Sequence, residues 1–480
     1  MADTPVLSLT GAGFAFHGAE TSALASVDLS IGPGEMLAVL GPQGAGTSTL
    51  CRLAAALLGD RGATSGSRAV GGSVAMLGDD PEAQLTGMTS YVDDEVRLPA
   101  RLAGSACPVD VRAALDMFGM QRLIGRRLDT LSGGERQLVA LASLMTLGPS
   151  LLVLDQPALS LDPDARQRLS RALRRFRASG GAVLLAGHQF DELAETADRV
   201  QFLRAGRIVD STHPGSLTDA LLAEHGVWST VGIARPGGVS EEREPPSTEA
   251  AFLGRDLDAP GLHVHGLTVV RGRSTVFQSF DCGVARGEVA TIVGPNGTGK
   301  STLLRAIAGM LDADPTVRIA GEVHVGRTEL HGLPAHQRAR WVGWVGQDPG
   351  AQLSSATVQT ELERAVPLPP HRRRDRAQLQ SDRAAAVGRV LERTGLAEHA
   401  GEHPYDLAPA QRKDLVIASA LLLRAEVLLL DEPTLGRDLA GMRRLERVIR
   451  DFSAAGGAVV VTTHDLRWAG RVAARTVRLG

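Results

Sequence analysis

A glycine loop set between an apolar run and a helix start limits this chain to few architectures. Val289-Ala-Thr-Ile-Val293 reads as a buried strand. Gly294-Pro295-Asn296-Gly297-Thr298-Gly299 follows it, and Lys300-Ser301-Thr302 opens the helical stretch Leu303–Gly309. The spacing of Gly294, Gly299 and the Lys-Ser pair is that of a phosphate-cradling loop. Glycines let the backbone turn so that successive N–H groups converge into an anion nest at a helix N-terminus. Lys300 supplies a compact charge for the β- and γ-phosphates of a nucleotide, and the Ser301 hydroxyl suits Mg2+. The chain has only two lysines, Lys300 and Lys413, among many arginines. A lysine at this position is therefore not compositional background.

At 480 residues, two or more domains are expected, and 43% apolar residues give each a core. A formal net charge of −3 sets up no field that would draw the protein to nucleic acid. Cys51, Cys107 and Cys282 are far apart, which fits a reducing compartment and excludes a disulfide framework or a cysteine-rich metal cluster. Met1-Ala-Asp-Thr-Pro5 has neither the basic flank nor the apolar core of a signal peptide. The apolar zone Leu138–Leu161 is broken by Gly148-Pro149-Ser150 and carries Asp155, so it reads as a helix, a turn and a buried strand rather than a membrane span.

The chain repeats itself. Val6–Thr10 and Ala25–Ile31 read as strands of a small β layer. Met36–Leu40 then leads into Gly41-Pro42-Gln43-Gly44-Ala45-Gly46-Thr47-Ser48-Thr49, the same loop with Thr47 in place of the lysine. Val74–Leu77 is another strand, with Asp79 behind it. Helical spacing runs from Val109 to about Gly125, and Leu131-Ser132-Gly133-Gly134-Glu135-Arg136-Gln137 opens a further helix. Leu151–Asp155 and Ala182–His188 are apolar strands, the first followed by Gln156-Pro157. The second half replays each station: Gly294 answers Gly41 at an offset of 253 and Gln347 answers Asp79 at 268. Leu407, Asp431 and His464 answer Leu131, Asp155 and His188, all at 276. The constant final offset implies one framework used twice, and its growth marks insertions, among them the Arg-rich run His371–Arg376. Two copies of about 220 residues mean two homologous domains. We place them at residues 1–232 and 261–480, with an acidic, proline-bearing flexible linker at 233–260. Strands alternating with helices predict a mostly parallel sheet wrapped by helices in each.

The order of glycine loop, glutamine loop, Leu-Ser-Gly-Gly signature, acidic strand and histidine resembles the ATP-binding cassette (ABC) family, over nearly all the chain outside the linker. The resemblance implies an α/β fold of two tandem P-loop ATPase domains, each with a small antiparallel β layer and a helical subdomain. It also implies ATP and Mg2+, and head-to-tail stacking in which each ATP is held by the loop of one domain and the signature of the other. In the second half Lys300, Ser301, Gln347, Asp431, Glu432 and His464 are all present. Asp431 suits Mg2+ held through water, with Ser301 and Gln347 as further metal contacts. Glu432 can polarise the attacking water as general base, and His464 can contact the γ-phosphate. In the first half the signature Ser132-Gly133-Gly134 is whole. The other set is damaged: Thr47 replaces lysine, Asp79 glutamine and Gln156 the catalytic glutamate, while Ala408-Pro409-Ala410 replaces the second signature. An amide cannot accept a proton as a carboxylate does, and proline removes a backbone donor. Under head-to-tail pairing every loss falls in one composite site, where Gly41, Gly44, Gly46, Ser48, Thr49, Asp155 and His188 survive. The partner site stays complete and is expected to be the one that hydrolyses ATP.

The family usually stacks an aromatic ring on adenine upstream of the loop. Phe14 or Phe16 fits that part in the first half, whereas Thr268–Arg271 offers none in the second. A transporter built on this chain needs separate transmembrane subunits, with the ATPase on the cytoplasmic face of the membrane. Pro81–Gln84 and Pro349–Gln352 resemble segments of energy-coupling-factor (ECF) importers, which take up vitamins and metal ions and can include a substrate-binding membrane component. Alternatives are the fused ATPase of a sugar-type importer and a soluble ABC ATPase acting on ribosomes or DNA. The acidic linker and isolated cysteines argue against the latter.

Overall fold

The computed structural model describes residues 4–79, 85–104, 109–159, 161–232, 261–295, 297–312, 314–367 and 376–479. The chain divides into two compact units, Met1–Ser240 with Gly436–Ala440, and Glu241–Leu435 with Gly441–Gly480. The expected linker at 233–260, Cys107, Asn296, Pro81–Gln84 and most of the run 371–376 lie outside the described residues.

In the first unit a six-stranded sheet is ordered Arg207–Thr212, Arg199–Arg204, Met36–Leu40, Ala182–Gly187, Leu151–Asp155, Val74–Leu77. All neighbours are parallel except the first pair. The three central strands are buried at every residue, as uninterrupted apolar runs demand in a sheet covered on both faces. Side chains alternate across it. Met36, Ala38 and Leu40 pack with Leu138–Ala142 of the signature helix. Leu37 and Val39 pack with Leu50, Leu53 and the antiparallel strands Leu24–Ile31, Leu7–Phe16 and Gly62–Val70. The glycine-loop helix Thr47–Ala54 and the signature helix Gly133–Met145 thus occupy opposite faces of one sheet.

The second unit repeats this plan. Val342–Val345, Val427–Asp431, Ala458–Thr462, Val289–Val293 and Arg475–Arg478 form an all-parallel five-stranded sheet. Gly261–Arg271 and Val317–Val325 sit at the centre of a four-stranded antiparallel sheet. Arg338 clasps the end of the helix Lys300–Ile307. Its buried guanidinium donates from Nε to Leu333 O (2.7 Å) and from Nη1 to Ala306 O (3.0 Å) and Ile307 O (3.1 Å), and Nη2 meets Asp312 at 2.8 Å. Among the described residues no helix is long and apolar enough to cross a membrane.

One helix differs from expectation. Val109 to Gly125 is helical only over Val111–Asp116, because Gly119 turns left-handed (φ 65°) and a 3-10 turn, Gln121–Leu123, follows. Val92–Leu102 is a further helix, with Asp93, Asp94 and Glu95 in its first turn and Pro99 inside.

Candidate functional site

Both glycine loops take the same backbone form. Gly46 (φ 103°) and Gly299 (φ 94°) sit left-handed at the N-caps of Thr47–Ala54 and Lys300–Ile307. At Gly294 a Cβ would lie 2.1 Å from Leu479 O, and at Gly41 2.2 Å from Leu203 O, so only glycine fits against the neighbouring strand end. At Gly297 and Gly44 an added Cβ meets nothing within 4 Å, so the loops open outward as a phosphate cradle does. Pro295 and Gly297 are exposed, Thr298 bridges back to Pro295 O (2.9 Å), and Thr302 is half-buried. The Lys300 ammonium, on the buried side, donates to Gly294 O (2.6 Å) and Pro295 O (3.0 Å) of its own loop.

Behind the second loop lies a buried acidic pair at the end of Val427–Asp431. Asp431 Oδ1 accepts a 2.6 Å hydrogen bond from Thr462 Oγ1 on the adjacent strand, and the Glu432 N–H donates to the same threonine's hydroxyl and carbonyl, each at 3.1 Å. Glu432 has φ 48°, a left-handed state uncommon for a non-glycine residue. Its carboxylate is 3.2 Å from His464 Nε2 and accepts from the His464 N–H at 3.2 Å. Burial and the neighbouring Asp431 charge push the Glu432 carboxyl up to about 7, while Lys300 and Lys413 pull it down. Lys413 donates to the Glu432 main-chain carbonyl. A base tuned near neutral pH is what proton transfer from water requires.

The donors present suit Mg–nucleotide. Ser301 stands in the first turn behind the cradle, Asp431 at the end of the strand next but one to Val289–Val293, and Gln347 is exposed just beyond Val342–Val345. Among the described residues no group of three or more His, Cys, Asp or Glu side chains forms a protein-only metal site. Mg2+ takes one or two protein ligands and completes its shell with phosphate and water. Bound there, it would neutralise charge on the β- and γ-phosphates.

The first unit keeps the scaffold with different residues at several of these positions. Gln156 holds φ 52°, the same turn as Glu432. Asp155 pairs in register with Ala186, as Asp431 does with Thr462, so the supporting hydroxyl is gone. This further loss lay outside the motif stations. Burial pushes the Asp155 carboxyl up to about 7, against the Ser48 hydroxyl. Asp79 meets Arg52 at 3.9 Å rather than presenting an amide. Thr47 and Thr49 are buried and Ser48 is half-buried. His188 Nδ1 lies 2.8 Å from Gly41 O, and burial lowers its pKa.

The two signature helices differ at their N-termini. Ser132 is exposed and caps its helix through a capping box: its Oγ accepts from the Glu135 N–H (3.3 Å), and Glu135 Oε2 accepts from the Ser132 N–H (3.0 Å). Nothing crowds a Cβ at Gly133, and Gly134 is buried. In the second unit Ala408 makes no side-chain cap, and Pro409 and buried Ala410 begin the helix. Proline is tolerated at a first helical position, so the helix survives while the hydroxyl and a donor are lost.

Two sequence readings shift in place. Phe14 is buried in the core, so of the two candidates only Phe16, which is 36% exposed and packs in a T-shaped pair with Phe14, is open to solvent. In the second unit Phe277 lies 3.3 Å from where a Gly299 Cβ would be, so an aromatic does adjoin that loop, downstream of Thr268–Arg271. In the Pro349–Gln352 segment, Gln352 braces its own loop: Oε1 accepts from the Gly346 N–H (2.7 Å) and Nε2 donates to Trp344 O (3.1 Å).

Residues 24–159 and 277–435 match the ABC transporter family. A protein of Streptomyces avermitilis named as an ABC transporter ATP-binding protein is 30% identical over 524 residues, covering 97% of this chain and 90% of its own. One from Bacillus subtilis named as an HMP/thiamine import ATP-binding protein is 26% identical over 498 residues, covering 96% of this chain and 86% of its own. The fold is also similar to the archaeal ribosome recycling factor aABCE1, solved with the ribosomal stalk protein aP1 (TM-score 0.58, 19% identity, 94% of this chain and 85% of that one). At that identity the likeness concerns the fold alone. Proteins of this kind bind ATP, typically with Mg2+, hydrolyse it, and generally pair with transmembrane subunits. With two matched segments, a duplicated glycine loop and a near-full-length relative, this chain belongs to the ABC transporter family, as an ATPase with two tandem ABC ATPase units.

Proposed function

We propose that the two repeats pair head to tail, giving one composite site that hydrolyses ATP and one that binds nucleotide weakly or holds it without turnover. The observation that carries this reading is the sorting of residues: Lys300, Ser301, Asp431, Glu432 and His464 stand in one repeat and Ser132-Gly133-Gly134 in the other. Thr47, Asp79 and Gln156 then fall together with Ala408-Pro409-Ala410. If each repeat worked alone, both would be crippled. In the working site Lys300 draws the phosphates into the cradle, Glu432 takes a proton from the attacking water, and His464 orients Glu432. Replacing the base removes roughly 10²- to 10⁴-fold in rate. Glu432→Gln and Lys300→Ala are therefore expected to abolish ATPase activity, while Thr47→Lys restores little because Pro409 remains. Wild-type turnover in Glu432→Gln, or two pockets turning over at equal speed, would refute the assignment.

The ATPase serves, in this reading, as the energy-coupling subunit of an ECF-type importer of a vitamin or metal ion. It sits on the cytoplasmic face of the membrane, bound to transmembrane subunits and a substrate-binding membrane component. Supporting it are the two unlike ATPase repeats in one chain, the Pro349–Gln352 segment behind Gln347, and the thiamine-import name of the Bacillus subtilis relative. Deleting the gene and measuring uptake of radiolabelled thiamine precursors and divalent metal ions tests it. Unchanged uptake of every such solute would count against the importer.

A further inference from the structure

Both lysines of this chain act through their charge on one carboxylate, that of Glu432. Lys300 does so from the glycine loop, where its ammonium donates to the Gly294 and Pro295 carbonyls. Lys413, nearly fully buried, comes from the helix behind the altered signature and donates to the Glu432 main-chain carbonyl. Asp431 and Glu432 are adjacent, both buried and both acidic, so the unit encloses two carboxylates and two ammonium groups. The first unit shows the converse set. There Asp155 stands beside Gln156, with Thr47 and Gln137 at the two lysine positions. Gln137 Nε2 donates to Pro157 O at 2.5 Å, one residue beyond the position that Lys413 grips. The second acid and both cations are thus absent together, while the left-handed turn persists in both units (φ 52° and 48°). The turn itself does not need the lysine. What the lysine adds is a positive charge beneath the acidic pair.

We propose that Lys413 is the fixed countercharge of the Asp431–Glu432 pair and a positioning residue for Glu432, holding the carboxylate in place when Lys300 is engaged on phosphate. This rests on Glu432 acting as the base. A buried carboxylate pair short of one cation costs stability and relaxes away from the unfavourable charge. A lysine serving only as a hydrogen-bond donor would have no such link to the Glu432 side chain, because the carbonyl it grips remains in Glu432→Gln.

A double-mutant cycle separates the two. Lys413→Met is expected to lower the second unit's melting temperature by roughly 10 °C, and by less than half as much in the Glu432→Gln background. In the wild-type background it should also lower kcat roughly ten- to hundred-fold, with affinity for a non-hydrolysable ATP analogue within two-fold of the parent. Lys413→Gln, the residue of the first unit, provides the same readouts should Lys413→Met prove insoluble, and Lys413→Arg should recover most of the loss. Equal melting losses in both backgrounds, or an unchanged kcat, overturn the proposal. Wild-type turnover in Glu432→Gln instead overturns the base assignment, so the two failures are distinguishable.

Discussion

Thr462→Val removes one hydroxyl and little else. Valine keeps the branched shape that the fully buried strand position requires. The Glu432 N–H keeps the Thr462 carbonyl as acceptor at 3.1 Å. What disappears is the Glu432 N–H's second acceptor at 3.1 Å and, above all, the 2.6 Å hydrogen bond to Asp431 Oδ1, a charge-assisted bond in a dry site, worth about 1.5–3 kcal/mol. For a unit of this size each kcal/mol moves the melting point by about 2–4 °C, so a loss near 2 kcal/mol predicts a drop of roughly 4–8 °C. Three of the four tryptophans, Trp341, Trp344 and Trp468, lie in the second unit, so the intrinsic emission melt reports mainly on it. Thr462→Ser restores the hydroxyl and should recover most of the shift. A Thr462→Val protein melting within about 1 °C of wild type would show that the hydroxyl does not support Asp431, and the contrast with Ala186 would lose its meaning.

Two further outcomes concern stability. Burial pushes Asp155 from its ordinary 3.8 to about 7, so between these values the folded first unit keeps a proton that the unfolded chain releases. Its stability therefore falls as pH rises through that window, by up to about 4 kcal/mol. Asp155→Asn should flatten this slope in calorimetry between pH 5 and pH 8 and melt above wild type at pH 8; an unaltered slope would count against it. Arg338→Met frees three carbonyls and Asp312, which is partly exposed. The low end of the buried-pair range, about 3 kcal/mol, predicts a melting drop of roughly 6–12 °C in the second unit, and a drop under about 2 °C would mean that the clasp contributes little.

Much of the fold was legible because buried parallel strands write themselves as unbroken apolar runs. Met36–Leu40, Leu151–Asp155, Val289–Val293 and Val427–Asp431 emerged at their expected positions. The glycine loops were legible because close backbone approach, as of Leu479 O to Gly294, tolerates no side chain. The helix Val92–Leu102 escaped because its Tyr91 N-cap gives no side-chain signal and Pro99 argues against a helix. Thr462 escaped because its role depends on a neighbouring strand: register, not local pattern, sets it opposite Asp431. Lys413 was visible as a rarity in composition, yet its target was not, since the Glu432 carbonyl is 19 residues away.

The turn shared by Gln156 and Glu432 separates pose from reactivity. A conformation costing about 1–3 kcal/mol persists where glutamine stands in place of glutamate, so the scaffold and not the carboxylate holds the corner. Such a duplicated corner lets a carboxylate give way to an amide with no rebuilding of the main chain. Two halves with one main-chain trace can therefore present different chemical groups at the same corner.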